Sequence, residues 1–108
     1  MQRAVAEDRV FQALADPSRR AIFESLTRGE AAVKDLTARF DISQPAVSQH
    51  LAALKEAGLV HGRREGRLVF YRVEPKGMKP LIDWIAHYRA FWTEHALRLE
   101  ALLEKLDR

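Results

Sequence analysis

The chain has 108 residues, of which 47% are hydrophobic and 31% charged, with a net charge of +3 at pH 7. This is one domain's worth of globular sequence, too apolar for a disordered chain. It has no cysteine, which excludes a disulfide framework, a thiolate metal site, an iron–sulfur cluster and a cysteine nucleophile together. No apolar run approaches the ~20 residues that span a bilayer, and residues 1–8 lack the apolar core of a signal peptide. The expectation is a soluble cytoplasmic protein with no membrane partner.

The positive charge is concentrated. Residues 1–60 carry eight basic and eight acidic groups, whereas residues 61–79 carry six basic and two acidic ones. A basic patch on a nearly neutral body suits a polyanion, most simply nucleic acid, although a solvated loop has the same composition.

Taken in chain order, Val5, Val10, Phe11 and Leu14 indicate a short first helix. Asp16-Pro17 starts a second, because aspartate caps free amides and proline fits the first turn. Ile22, Phe23 and Leu26 continue it to Arg28-Gly29. Val33, Leu36 and Phe40 give a third helix. Ser43 is the N-cap of a fourth, with an apolar stripe of Val47, Leu51 and Leu54 and a stop at Gly58. Two short helices in succession over residues 33–58, the second well capped, form a helix-turn-helix.

After Gly58 the period changes. Two strands, 59–64 and 67–73, flank Glu65-Gly66 and predict a hairpin that holds most of the basic patch. Helical period returns at about residue 79. Leu81, Ile85, Tyr88, Trp92, His95, Leu99, Leu102 and Leu106 alternate four and three apart, an unbroken heptad seam. A helix over 79–106 would be about 40 Å long, longer than so small a domain is wide. Its seam predicts a homodimer, with His95 as the polar residue that sets register; a helix bent near His95 onto its own core is the alternative.

The predicted fold is therefore mainly α with a small β-hairpin: one winged helix-turn-helix domain over 1–108, with the wing at about 59–74 and a C-terminal dimerisation helix at about 79–106. Asp16-Pro17-Ser18-Arg19-Arg20, the run from Ile42 to Leu51, Ala57-Gly58-Leu59-Val60 and the wing from Arg64 to Tyr71 resemble the ArsR family of bacterial winged-helix repressors. The resemblance implies a dimeric, DNA-binding transcription regulator, usually a repressor.

Physical roles follow from helix geometry. With Val47, Leu51 and Leu54 buried, about 100° per residue puts Pro45, Gln49 and Ala52 opposite, and Gln44 and Ser48 on a flank. Gln44 and Gln49 are long enough to read base edges, and glutamine pairs bidentately with adenine. Ser43 and Ser48 suit phosphate or base contacts. Arg63, Arg64 and Arg67 are candidates for phosphates or the minor groove, while Arg72 suits pairing with an acidic neighbour. Arg19 and Arg20 fit either an ion pair or a phosphate contact, and His50, beside the buried stripe, fits packing.

Family relatives sense arsenicals and metals through Glu-Leu-Cys-Val-Cys-Asp-Leu. Here Glu30-Ala31-Ala32-Val33-Lys34-Asp35-Leu36 occupies that place, so thiolate sensing is excluded. Asp83, His87 and Glu94 share a polar face but do not match the family's metal spacing on the last helix; a solvated face explains them, and neither a metal nor another cofactor is expected. No glycine-rich phosphate loop or Ser/His/carboxylate motif indicates an enzyme. The favoured reading is a sequence-specific regulator, a repressor on an inverted repeat of double-stranded DNA; the alternative is a dimeric winged-helix module that binds protein. No effector is identifiable.

Overall fold

Asp16 begins helix α2 (Pro17–Leu26) as its sequence dictates: its Oδ1 accepts from the Arg19 amide at 3.0 Å, and Pro17 occupies the first turn. That amide, helped by the charges of His50 and Arg19, holds the Asp16 carboxyl below the usual carboxylate range. The computed structural model describes residues 2–107, with side chains over 6–107; Val5 in the expected first stripe lies outside the described side chains. Helix α1 (Gln2–Ala15) buries Val10 and Ala13. Its last carbonyls would otherwise lack donors. The Arg20 guanidinium donates to Leu14 O at 2.7 Å, and that of Arg19 reaches Gln12 O and Ala13 O at 3.4 and 3.5 Å. Both arginines thus cap α1, a role distinct from an ion pair or a phosphate contact.

Strand β1 (Ala31–Ala32) leads straight into α3 (Val33–Phe40), which buries Leu36 and ends at Asp41 in the left-handed conformation, φ 51°. Helix α4 (Gln44–Glu56) is capped by Ser43, whose Oγ accepts from the Ala46 amide at 3.2 Å. Strands β2 (Val60–Glu65) and β3 (Leu68–Val73) form the wing. The sheet is antiparallel in the order β1-β3-β2, so the expected two-stranded hairpin carries a third, two-residue strand. Two alanines have no strand signature of their own; β1 exists because β3 offers it a ladder, Ala31 opposite Tyr71 and Ala32 opposite Phe70. The turn also lies one residue later than expected. Glu65 pairs with Leu68, leaving Gly66-Arg67 as the two-residue loop, with Gly66 at φ +62°. Glycine at the first turn position suits the twist of a hairpin.

The chain leaves the wing through a 3-10 turn at Pro75–Met78. A Cβ on Gly77 would lie 1.9 Å from the carbonyl oxygen of Gly58. The end of α4 and the start of the C-terminal segment thus touch backbone to backbone, which only glycine permits. From there the expected single helix is two, α5 (Lys79–His87) and α6 (Arg89–Leu106). The break falls at Tyr88 (φ −107°, ψ 16°), not near His95. Neither proline nor glycine marks it. Its setting is tertiary: Trp84 meets Phe11 of α1 edge-on at 5.6 Å and Tyr88 packs on Trp84 at 5.2 Å, so α5 follows α1. Every side chain from Arg89 to Asp107 is exposed, so nothing else among the described residues guides α6.

The core gathers Ile22, Leu36, Val47, Leu51, Leu54 and Leu59, each fully buried, between α1–α4 and the base of the wing. Gly77→Ala should lower folding stability by about 1–3 kcal/mol, the range for overpacking. Denaturant unfolding measures this, and an unchanged midpoint would show that the Gly58–Gly77 contact is not tight.

Candidate nucleic-acid interface

Helix α4 is divided cleanly by its stripe. Val47, Leu51 and Leu54 are fully buried, while Ser43, Gln44, Pro45, Ser48, Gln49 and Ala52 are all exposed. Of these, residues 43 to 49 lie at the N-terminal end, where a helix entering the major groove meets base edges. His50, at the margin, is half-buried with Nδ1 turned inward and without a hydrogen-bond partner among the described residues. It lies close enough to Asp16, the N-cap of α2, to act on that carboxyl.

The wing comes back beside this face. A groove of about 220 Å³ runs between the start of α3, the start of α4 and the wing; Lys34, Gln44, Ser48, Arg67 and Tyr71 line it. Two cations therefore flank the same concavity as two of the candidate base-reading or phosphate-binding side chains. Residue type and spacing do not single out Lys34 for DNA, yet a signal exists: it is the second residue of the first helix of the helix-turn-helix, the helix that crosses the phosphate backbone. Arg64 and Arg67 are exposed and have no ion-pair partner among the described residues.

Arg63 is placed differently. Its Nη2 donates to Glu30 Oε1 at 2.6 Å, its Nε to Glu30 Oε2 at 3.1 Å and its Nη1 to Glu65 Oε2 at 2.7 Å. Its guanidinium carbon lies 4.8 Å from the centroid of the Phe70 ring. The hydrogen bond from Arg63 holds the Glu30 carboxyl below its ordinary range, with the charge of Arg72 adding to the effect, and the two carboxylates push the Arg63 guanidinium up. Arg72 thus acts on Glu30 through its field, without a close ion pair.

Comparison with known proteins agrees with this geometry. The family model described as "Bacterial regulatory protein, arsR family" matches residues 16–61. The chain is 49% identical over 86 residues to the HTH-type transcriptional regulator Rv2034 of Mycobacterium tuberculosis, covering 80% of this chain and 78% of that one. It is 33% identical over 79 residues to the transcriptional repressor SdpR of Bacillus subtilis, covering 73% and 88%. An ArsR-like transcriptional regulator from Rhodococcus sp. RHA1 superposes with a TM-score of 0.75 at 25% identity, covering 94% and 96%. The chain belongs to the ArsR family. It is a DNA-binding transcriptional regulator with the winged helix-turn-helix fold.

In this ArsR-family chain the place of the family's cysteine box is taken by β1 and the first turn of α3, with Ala32 and Lys34 at the cysteine positions. On the last helices Asp83 is bound by Lys79 at 2.8 Å, Glu94 pairs with Arg98, and His87 packs edge-on against Tyr88. The break at Tyr88 separates Glu94 from the other two. Among the described residues no group of three or more His, Asp or Glu side chains is placed to hold a metal ion.

The expected seam is distributed over two helices. Leu81 packs on the core from α5. Ile85, Tyr88, Trp92, Leu99 and Leu102 are 41–56% exposed, an uncovered apolar face. His95 lies on the same face: its Nδ1–H donates to the Phe91 carbonyl at 2.8 Å and its ring stacks on Phe91 at 4.0 Å. Among the described residues no helix is long and apolar enough to cross a membrane.

Replacing Arg64 and Arg67 by glutamine should weaken binding to every duplex and flatten the salt dependence, by about 0.9 in log–log slope for each phosphate no longer neutralised. Titrations at several salt concentrations measure this; an unchanged slope would take the turn of the wing out of the DNA interface.

Proposed function

We propose that this regulator is a repressor that binds an inverted-repeat operator as a homodimer. The observation that carries the reading is the placement of Gln44 and Ser48, on the exposed face of α4, beside the cations Lys34 and Arg67 in one groove. Gln44 and Gln49 read base edges, adenine being the natural partner of a bidentate amide. Ser43 and Ser48 hold phosphates or bases, and Pro45 gives the first turn of α4 a compact, exposed apolar surface. Lys34, Arg64 and Arg67 neutralise phosphates and so supply affinity rather than sequence choice.

The homodimer is supported by the apolar face of α5 and α6. Trp92, Leu99 and Leu102 are covered by no other element among the described residues, and exposed apolar patches of this extent mark interaction sites. Pairing two copies there gives two recognition helices, which a two-fold operator accommodates about 34 Å apart, one helical turn. Occupation of promoter DNA then excludes polymerase; the repressor name carried by one relative supports that direction of control.

Selection from random duplex DNA at near-physiological salt should enrich an inverted repeat. Gln44→Ala with Gln49→Ala should lose about 1–3 kcal/mol of discrimination per base pair read, with nonspecific binding retained; sequence preference that survives would move recognition elsewhere. Ile85→Glu with Leu99→Glu should give a monomer in sedimentation, and a persistent dimer would refute the α5–α6 interface.

A further inference from the structure

We propose that Arg63 is a positioning residue: it clasps the wing to the recognition unit and leaves the contact with DNA to the turn of the wing. This rests on the reading of the wing as part of the DNA interface. Strand β1 contributes a two-residue ladder, and it is the strand that joins β3 to α3 and hence to the helix-turn-helix. The packing of Leu59, Val60 and Val73 on the core holds the base of the wing, and so short a ladder adds little beyond it. Arg63 stands on β2, opposite Phe70 of β3, and Phe70 stands opposite Ala32 of β1. The guanidinium passes over the Phe70 ring and reaches the carboxylate of Glu30, the residue before β1. One side chain thereby reaches from β2 across β3 to the residue that leads into β1.

Isolated surface ion pairs contribute little, but a bidentate arginine in a network is the exception. Both Glu30 oxygens are engaged, Glu65 fixes a third direction, and Phe70 supports the cation face. Three N–H donors of this group are already bonded to two carboxylates, with which a phosphate must compete. Arg64 and Arg67 present no such obstacle.

The two roles predict opposite signs for one variant. If Arg63 bound phosphate, Glu30→Ala would release it and tighten binding. As a clasp, Glu30→Ala and Arg63→Gln should each weaken binding by roughly fivefold at unchanged salt slope, and the double variant should be no weaker than either single one. The probe is the duplex that the wild-type protein enriches from random sequence. Amide hydrogen exchange in the free protein is the second readout: each variant should speed exchange at Ala32 and Tyr71, again without additivity. A slope that falls by about 0.9 in Arg63→Gln, with tighter binding by Glu30→Ala, would overturn the clasp and make Arg63 a phosphate contact. If the wild-type protein enriches no sequence, the operator reading fails by itself, while unchanged exchange in both variants would still refute the clasp.

Discussion

The burial of one face of α4 governs the rest of the structure. Val47, Leu51 and Leu54 are removed from water completely, and each such side chain is worth about 1.5–3 kcal/mol of transfer free energy. A helix cannot rotate without exposing its stripe. The rotation that buries these three therefore also decides that Gln44, Ser48 and Gln49 face outward. Leu36 of α3 and Ile22 of α2 receive the stripe, so the helix-turn-helix angle and the exposed face come from one packing event. Ser43 then terminates the helix where its polar end begins.

The molecule is built in two unequal parts. Among the described residues, all of the fully buried apolar side chains lie between Val10 and Val60. The segment beyond the wing adds only partly buried groups such as Met78 and Leu81 to that core. This is why the chain extends to 58 × 39 × 20 Å at only 108 residues. Small domains bury proportionally little surface, and this one leaves its largest apolar face on α5 and α6. The proposed homodimer would place that face at an interface, which would also set the spacing of the recognition helices.

What was legible in the sequence was local chemistry with a fixed period. The caps at Asp16 and Ser43 and the three-residue stripe of α4 stand in the structure where residue type and spacing put them, and the basic hairpin does so with its turn one residue later. What was not legible depended on partners distant in the chain. Ala31 and Ala32 become a strand only because β3 lies alongside. Arg63 looks like Arg64 and Arg67 until the fold brings Glu30 to it from 33 residues away. Arg19 and Arg20 are charges without a target until the end of α1 is placed against them. The heptad spacing runs through Tyr88 without interruption, yet the helix breaks there, because α5 is held by Phe11 and α6 by nothing else among the described residues.

The most direct test of the recognition face is amide hydrogen exchange on the wild-type protein, free and bound to its selected duplex. Slowed exchange should appear at residues 43–50 and 64–68, with the α1–α2 core unchanged. Protection confined to α5 and α6, with the start of α4 unaffected, would contradict the account and move DNA to another surface.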